Sequence, residues 1–158
     1  MIKIISKYPT VNFICHNEIC VRKNGISFVY DYGKNYNKSK SLMNQLYFRN
    51  MFSTSAICCK KELLLNNGLF NETLMSAQDY ELWLRLSPHL NIFFSDMILG
   101  KYIEREGNIT SGNMIKRMIN EFKIALWHRK NITHIQRLIK FARICASFTN
   151  QFFQSLYR

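Results

Sequence analysis

The stretch SAQDYELWLRL, residues 76–86, sets one carboxylate, Asp79, beside two aromatics, Tyr80 and Trp83, and an arginine, Arg85. Two roles fit that carboxylate. Ser76 followed three residues later by an acid is how a helix begins. The hydroxyl accepts from a free backbone N–H, and the acid sits at the positive end of the helix dipole. A carboxylate held at a helix start among bulky aromatics, and partly shielded from water, also meets the conditions for a general base. The residues alone leave both roles open.

No other set of side chains competes with it. His16, His89, His128 and His134 are scattered, without the spacing of a metal-binding pair. Cys15, Cys20, Cys58, Cys59 and Cys145 are odd in number and contain no CxxC pair, so buried, reduced thiols are expected rather than zinc ligands or a disulfide framework. The sequons at Asn37, Asn71, Asn108 and Asn131 carry little weight without a secretion signal.

The elements that must position Asp79 follow from periodicity. Val11, Phe13 and Cys15 alternate after Pro9 and predict a strand. A turn at residues 23–25 leads to a second short strand, ISFVYDY, and GKNYNKSK reads as a loop. Leu42, Leu46 and Tyr47 predict a short helix, FSTSAICC a buried strand, and KKELLLNNG a helix closed by Gly68. Ser76 opens the next helix, which stops before Pro88. Its stripes, Tyr80, Trp83 and Leu84 on one side and Leu82 and Leu86 on another, require burial on most faces. NIFFSDMILGKYI supplies one or two more strands, and from about Met114 the pattern is helical. Ile135, Leu138, Ile139, Ala142, Cys145, Thr149, Phe152, Phe153 and Leu156 form an apolar stripe, with Arg137, Lys140 and Arg143 between them.

The net charge of +12 is uneven: from residue 113 onward nine Lys or Arg face one acid, Glu121. That tail admits packing over the sheet with solvated cations, or docking on an anionic membrane surface. Nucleic acid is not an expected partner, because no recognition module is present. No run of 18 apolar residues occurs, so a spanning helix is not expected, and the start lacks the marks of a signal peptide. A cytoplasmic location is expected, with a peripheral position at the inner face of the plasma membrane as an option.

From Phe52 to Leu86 the order of residues resembles the second half of family 2 glycosyltransferases, inverting enzymes of the GT-A fold. The carriers are Ser53, Thr54 and Ser55, then Lys60 and Lys61, then Gly68, Phe70, Asn71 and Glu72, and finally Gln78, Asp79, Tyr80, Leu82, Trp83, Leu84 and Arg85. The resemblance spans roughly residues 5–112. It implies that Asp79 is the catalytic base, taking the proton of an acceptor hydroxyl that attacks the anomeric carbon opposite the nucleotide. Gln78 stands where the family often has Glu, which removes a like-charge neighbour and should keep the Asp79 pKa lower. Ser53, Thr54 and Ser55 are candidates to line the sugar or acceptor pocket, with strand packing as the alternative. Trp83 and Arg85 are expected to pack the helix and orient its neighbours, a direct substrate role being the lesser option. Arg105 falls where the family often has a histidine; it can pair with phosphate oxygens but cannot bind a metal.

The resemblance implies a nucleotide-sugar donor and a divalent metal, Mn²⁺ or Mg²⁺, whose ligands this chain lacks: before residue 60 its acids are only Glu18 and Asp31. The expected fold is α/β, a partial GT-A (nucleotide-diphospho-sugar transferase-like) mixed sheet with flanking helices and a C-terminal helical extension. Residues 1–112 would be the acceptor-side half of the domain and 113–158 a basic amphipathic tail. The expected function is transfer of a sugar, with inversion, to a polysaccharide, lipopolysaccharide or other glycan acceptor, lipid-linked or not. The isolated chain is expected to be inactive without a nucleotide-binding half. The alternative is a non-catalytic basic module, binding membrane or a subunit, on a decayed fold of the same kind.

Overall fold

The computed structural model describes residues 2–105, 114–130 and 132–156, with residues 2 and 151–156 given by backbone alone. The expected boundary between residues 112 and 113, the sequons at Asn108 and Asn131, and the side chains of Phe152, Phe153 and Leu156 lie outside the described residues.

The chain is an α/β protein built on a mixed four-stranded sheet with flanking helices. After a short helix α1 (Ile2–Lys7), strand β1 (Phe13–Val21) runs through the centre. Its first half pairs antiparallel with β3 (Ile57–Cys59), and its second half with β2 (Ser27–Tyr30). Along its other edge it pairs in parallel with β4 (Ile92–Ile103), from Phe13↔Ile92 to Val21↔Ile103. The parallel register slips between His16 and Glu18, a bulge that lengthens β4 locally. The expected turn at residues 23–25 closes the β1–β2 hairpin, with Gly25 at φ +80.

Four further helices complete the described chain beyond α2 (Leu42–Phe48): α3 (Lys61–Asn67), α4 (Gln78–Leu86), α5 (Met114–Trp127) and α6 (His134–Leu156). Gly68 ends α3 with φ +80 and ψ 149, a conformation open almost only to glycine. The apolar reading of α4 holds on every side: Tyr80, Leu82, Trp83, Leu84 and Leu86 are all buried. Trp83 meets Phe13 edge-on at 5.3 Å, and Phe52 closes the aromatic group.

Three expectations need correction. FSTSAICC is not one buried strand: Thr54–Ala56 form a 3₁₀ turn, and only Ile57–Cys59, half-buried, join the sheet. Consequently Cys58 and Cys59 are not buried; among the five free cysteines only Cys15 is, and Cys145 is exposed. Burial, with the charge of Glu18 adding, pushes the Cys15 thiol up to about 12. The third correction concerns α6. Its stripe of Ile135, Leu138, Ile139, Ala142 and Cys145 faces outward, with Ile135 71% and Leu138 68% exposed. The side turned inward carries Lys140, Ile144 and Phe148. Ile144 and Phe148, with Ile124, Ala125 and Ile132, join the same core as α2 and α4. Among the described residues no helix is long and apolar enough to cross a membrane.

Candidate functional site

Helix α4 does not begin as its sequence suggests. Its cap is Ala77, in the left-handed conformation at φ 60 and ψ 26, and no side chain caps it. The Ser76 hydroxyl lies one residue too early and accepts instead from Asn120 Nδ2 on α5 at 3.1 Å. A β-carbon in this region is costly, about 1–2 kcal/mol, so the surrounding packing must hold it there.

That turn delivers Asp79 to the second position of the helix with its two oxygens in different roles. Oδ1 accepts from the Tyr80 backbone N–H at 2.7 Å, satisfying one of the amides left free at a helix start. Oδ2 accepts from Asn50 Nδ2 at 3.2 Å and Thr54 Oγ1 at 3.4 Å, and the residue lines a cavity of about 500 Å³. The half-buried carboxylate thus anchors the helix start through one oxygen and accepts from two side chains through the other.

The cavity lies between the sheet-bound helices and the C-terminal hairpin. Phe48, Arg49 and Asn50 follow from the end of α2, while Ser76, Ala77, Asp79 and Tyr80 come from the start of α4. The opposite wall is Arg117 and Glu121 on α5 with Lys140, Arg143 and Ser147 on α6. Three contacts hold the walls together. Tyr47 Oη donates to the Ala125 carbonyl at 3.0 Å, Tyr80 Oη donates to the Tyr47 carbonyl at 2.8 Å, and the Lys140 ammonium sits 5.1 Å from the Tyr80 ring centre. Burial lowers the Lys140 pKa and the nearby Arg143 lowers it further, while Glu121, at 3.7 Å, pulls in the opposite direction.

The other sequence candidates separate into groups. Ser53, Thr54 and Ser55 sit on the 3₁₀ turn behind Asp79, and only Thr54 touches it. Ser53 and Ser55 share a hydrogen bond of 2.8 Å, and Ser55 donates to Glu18 Oε1 at 2.7 Å. Glu18 is buried; its other oxygen accepts from Tyr32 Oη at 2.8 Å, and Gly100 passes so close that a β-carbon there would lie 2.8 Å from Oε1. Ser55 therefore satisfies a buried carboxylate, with Ser53 bonded to Ser55, and neither serine lines the cavity. Gln78, half-buried, donates to the Leu74 carbonyl at 2.7 Å.

Trp83 is inside the core, and its Nε1 has no hydrogen-bond partner among the described residues. Arg85 faces away from the cavity. It donates to both Glu81 oxygens at 3.0 and 3.1 Å and to the carbonyls of Asn67, Gly68 and Leu69, so it clamps the end of α3 onto α4. Burial pushes the Glu81 carboxyl up, but hydrogen bonds from His128 and Arg85 outweigh it and leave it below the ordinary range. Arg105 is exposed, two residues beyond the end of β4, and does not line the cavity.

Asn50, Arg49, Glu121, Lys140 and Arg143 were not singled out as site residues from the sequence. For α6 a signal existed: Lys140, Ile144 and Phe148 recur at steps of four and define a second stripe with a lysine in it. For Asn50 none did.

The two carboxylates lining the cavity, Asp79 and Glu121, stand among four cationic side chains, a donor set that does not fit a divalent metal. Among the described residues no cluster of three or more His, Cys, Asp or Glu could hold one. No protein-family model and no curated protein matches the chain.

Proposed function

We propose that this chain is the acceptor-side, base-bearing portion of an inverting glycosyltransferase with a GT-A-like sheet. The observation that carries the reading is the disposition of Asp79: one oxygen is fixed by a backbone amide, and the residue lines a cavity large enough for a sugar. An acceptor hydroxyl in that cavity loses its proton to Asp79 Oδ2 as its oxygen attacks the anomeric carbon of a nucleotide sugar. The nucleoside diphosphate leaves from the opposite face. Asn50 and Thr54 hold Oδ2 in line, so the base needs no rearrangement as the alcohol arrives. No step is assigned to a metal on this chain, because its cavity does not suit one. The mixed sheet, the short helix closed by Gly68 and the acid at the head of α4 also support the GT-A assignment.

The test is sugar transfer measured with a nucleotide-binding half supplied, comparing the native chain with Asp79→Asn. The substitution keeps the shape and the Tyr80 amide contact but gives up the acceptor facing Asn50, so a drop of about 10²–10⁴ in turnover, with a cooperative melting transition retained, is expected. Equal rates would refute the base.

A second reading is favoured by the outward face of α6. Ile135, Leu138 and Ile139 stand exposed beside Lys and Arg on the two last helices, which suits a non-catalytic module docking on an anionic membrane. Co-sedimentation with phosphatidylglycerol vesicles tests it: Leu138→Ser should release the chain under this reading, whereas Asp79→Asn should not.

A further inference from the structure

We propose that the cavity before Asp79 is a phosphate-recognition subsite, built to hold a phosphoryl group carried by the molecule whose hydroxyl faces Asp79. The proposal rests on the acceptor reading for that last clause only; the anion site itself stands on the cavity. Arg49, Lys140 and Arg143 approach the same hollow from the end of α2 and from α6, and Arg117 approaches from α5. The acids among the residues lining the cavity are Asp79 and Glu121. An excess of cations adds to such a pocket an affinity for negative charge that a neutral sugar alone would not use. Guanidinium forks arranged around a hollow match the tetrahedral oxygens of phosphate instead.

Lys140 makes the case specific. Its residue is only 3% exposed, yet it occupies a face that an aliphatic residue would pack with less loss of hydration. Glu121 at 3.7 Å is a loose partner for it, and Tyr80 supplies a ring face rather than a counter-charge. The Arg143 guanidinium lies 5.9 Å from the centre of the Phe48 ring, which also lines the cavity. Among the described residues neither Arg49 nor Arg143 has an ion-pair partner. Arg49 and Arg143 thus bring like charge to one hollow that an entering anion would neutralise, and the same hollow is lined by Asp79.

The phosphoryl group has two possible sources: a soluble sugar phosphate, or the headgroup of a lipid-linked acceptor. Titration calorimetry of the full chain with inorganic pyrophosphate should show saturable binding of one anion per chain. Arg143→Ala, at an exposed position, should weaken it about tenfold or more, and Lys140→Met should do likewise. Asp79→Asn should bind as tightly as the native chain or tighter, since it removes a like charge. Absence of saturable binding, or binding unmoved by Arg143→Ala, overturns the proposal. Vesicles of phosphatidylcholine containing phosphatidic acid then separate the sources. Retention that pyrophosphate competes away and Arg143→Ala abolishes assigns the site to a lipid headgroup, and binding of pyrophosphate alone assigns it to a soluble phosphate. Anion binding that persists while Asp79→Asn leaves transfer unchanged would sink the base assignment and keep this subsite; the converse pairing would do the opposite.

Discussion

Helices α4 and α6 are both rich in apolar residues, and the molecule treats them in opposite ways. Helix α4 is nine residues long and buried almost all round, so any apolar side chain on it finds a partner. Helix α6 is longer and has one side against the body and one side bare. Its more continuous apolar stripe is the bare one, and its inward side includes a lysine. A periodic pattern shows which residues share a helix face. It does not show which face the rest of the protein will cover when two faces are both apolar enough.

The largest expected effect comes from a matched pair of truncations. Leu84→Ala on α4 removes a fully buried side chain and should cost about 2–5 kcal/mol in urea unfolding. Leu138→Ala on α6 should cost less than about 0.5 kcal/mol, because that side chain is 68% exposed. Equal losses would mean that the bare stripe is covered in solution, for instance by a second copy, and the dependence of the midpoint on protein concentration would reveal it.

The same contrast explains what could be read from the sequence. The stop at Gly68 and the all-round apolar α4 are local features that sit where the pattern places them. By contrast, β1 starts only at Phe13 and buries Ile14 as fully as Phe13 and Cys15, so the strand was legible but its alternation did not mark one buried face. The place of Asp79 at a helix start was also legible, although the residues alone left both a structural and a chemical role open. The cap was not. Ser76 has the composition of a cap, but Ala77 takes the left-handed turn and Asn120, more than forty residues away, claims the serine hydroxyl. Glu18 was equally hidden: Tyr32, Ser55 and Gly100 surround it only after the sheet forms. The cations of the cavity come from the end of α2, from α5 and from α6, and tertiary packing rather than any short motif brings them together.

Two ionisable groups sharpen the comparison at intermediate magnitude. The folded pKa of Glu81 on α4 is below the ordinary value of 4.5, so the stability it contributes is present above that pH and is lost as pH falls through the folded value. His128→Ala or Arg85→Ala should flatten this acid limb of the stability curve. Lys140 on α6 behaves oppositely in consequence. Its folded pKa is also depressed, but its charged form is the one disfavoured by folding, so stability rises as pH climbs from the folded value toward 10.5. Lys140→Met should be the more stable chain at neutral pH, by about 1 kcal/mol, and the gap should close as pH approaches 10.5. A gap that is constant with pH would show that packing, not charge, sets the difference.

The smallest effect lies at the joint between the two regions. Ala77 is the one non-glycine residue at positive φ among the described residues, and it directs Asp79 into the cavity. Glycine adopts that conformation without steric cost, so Ala77→Gly should raise stability by about 0.5–1 kcal/mol, measured as a shifted urea midpoint at unchanged slope. The gain should come with a looser α4 start, because the β-carbon that lines the cavity is gone. Pyrophosphate affinity should stay within about twofold, since none of the cations is on this turn, whereas turnover with the missing half restored should fall as Asp79 samples more orientations. A variant that gains stability and keeps full turnover would show that the left-handed alanine is tolerated strain with no part in aiming the base.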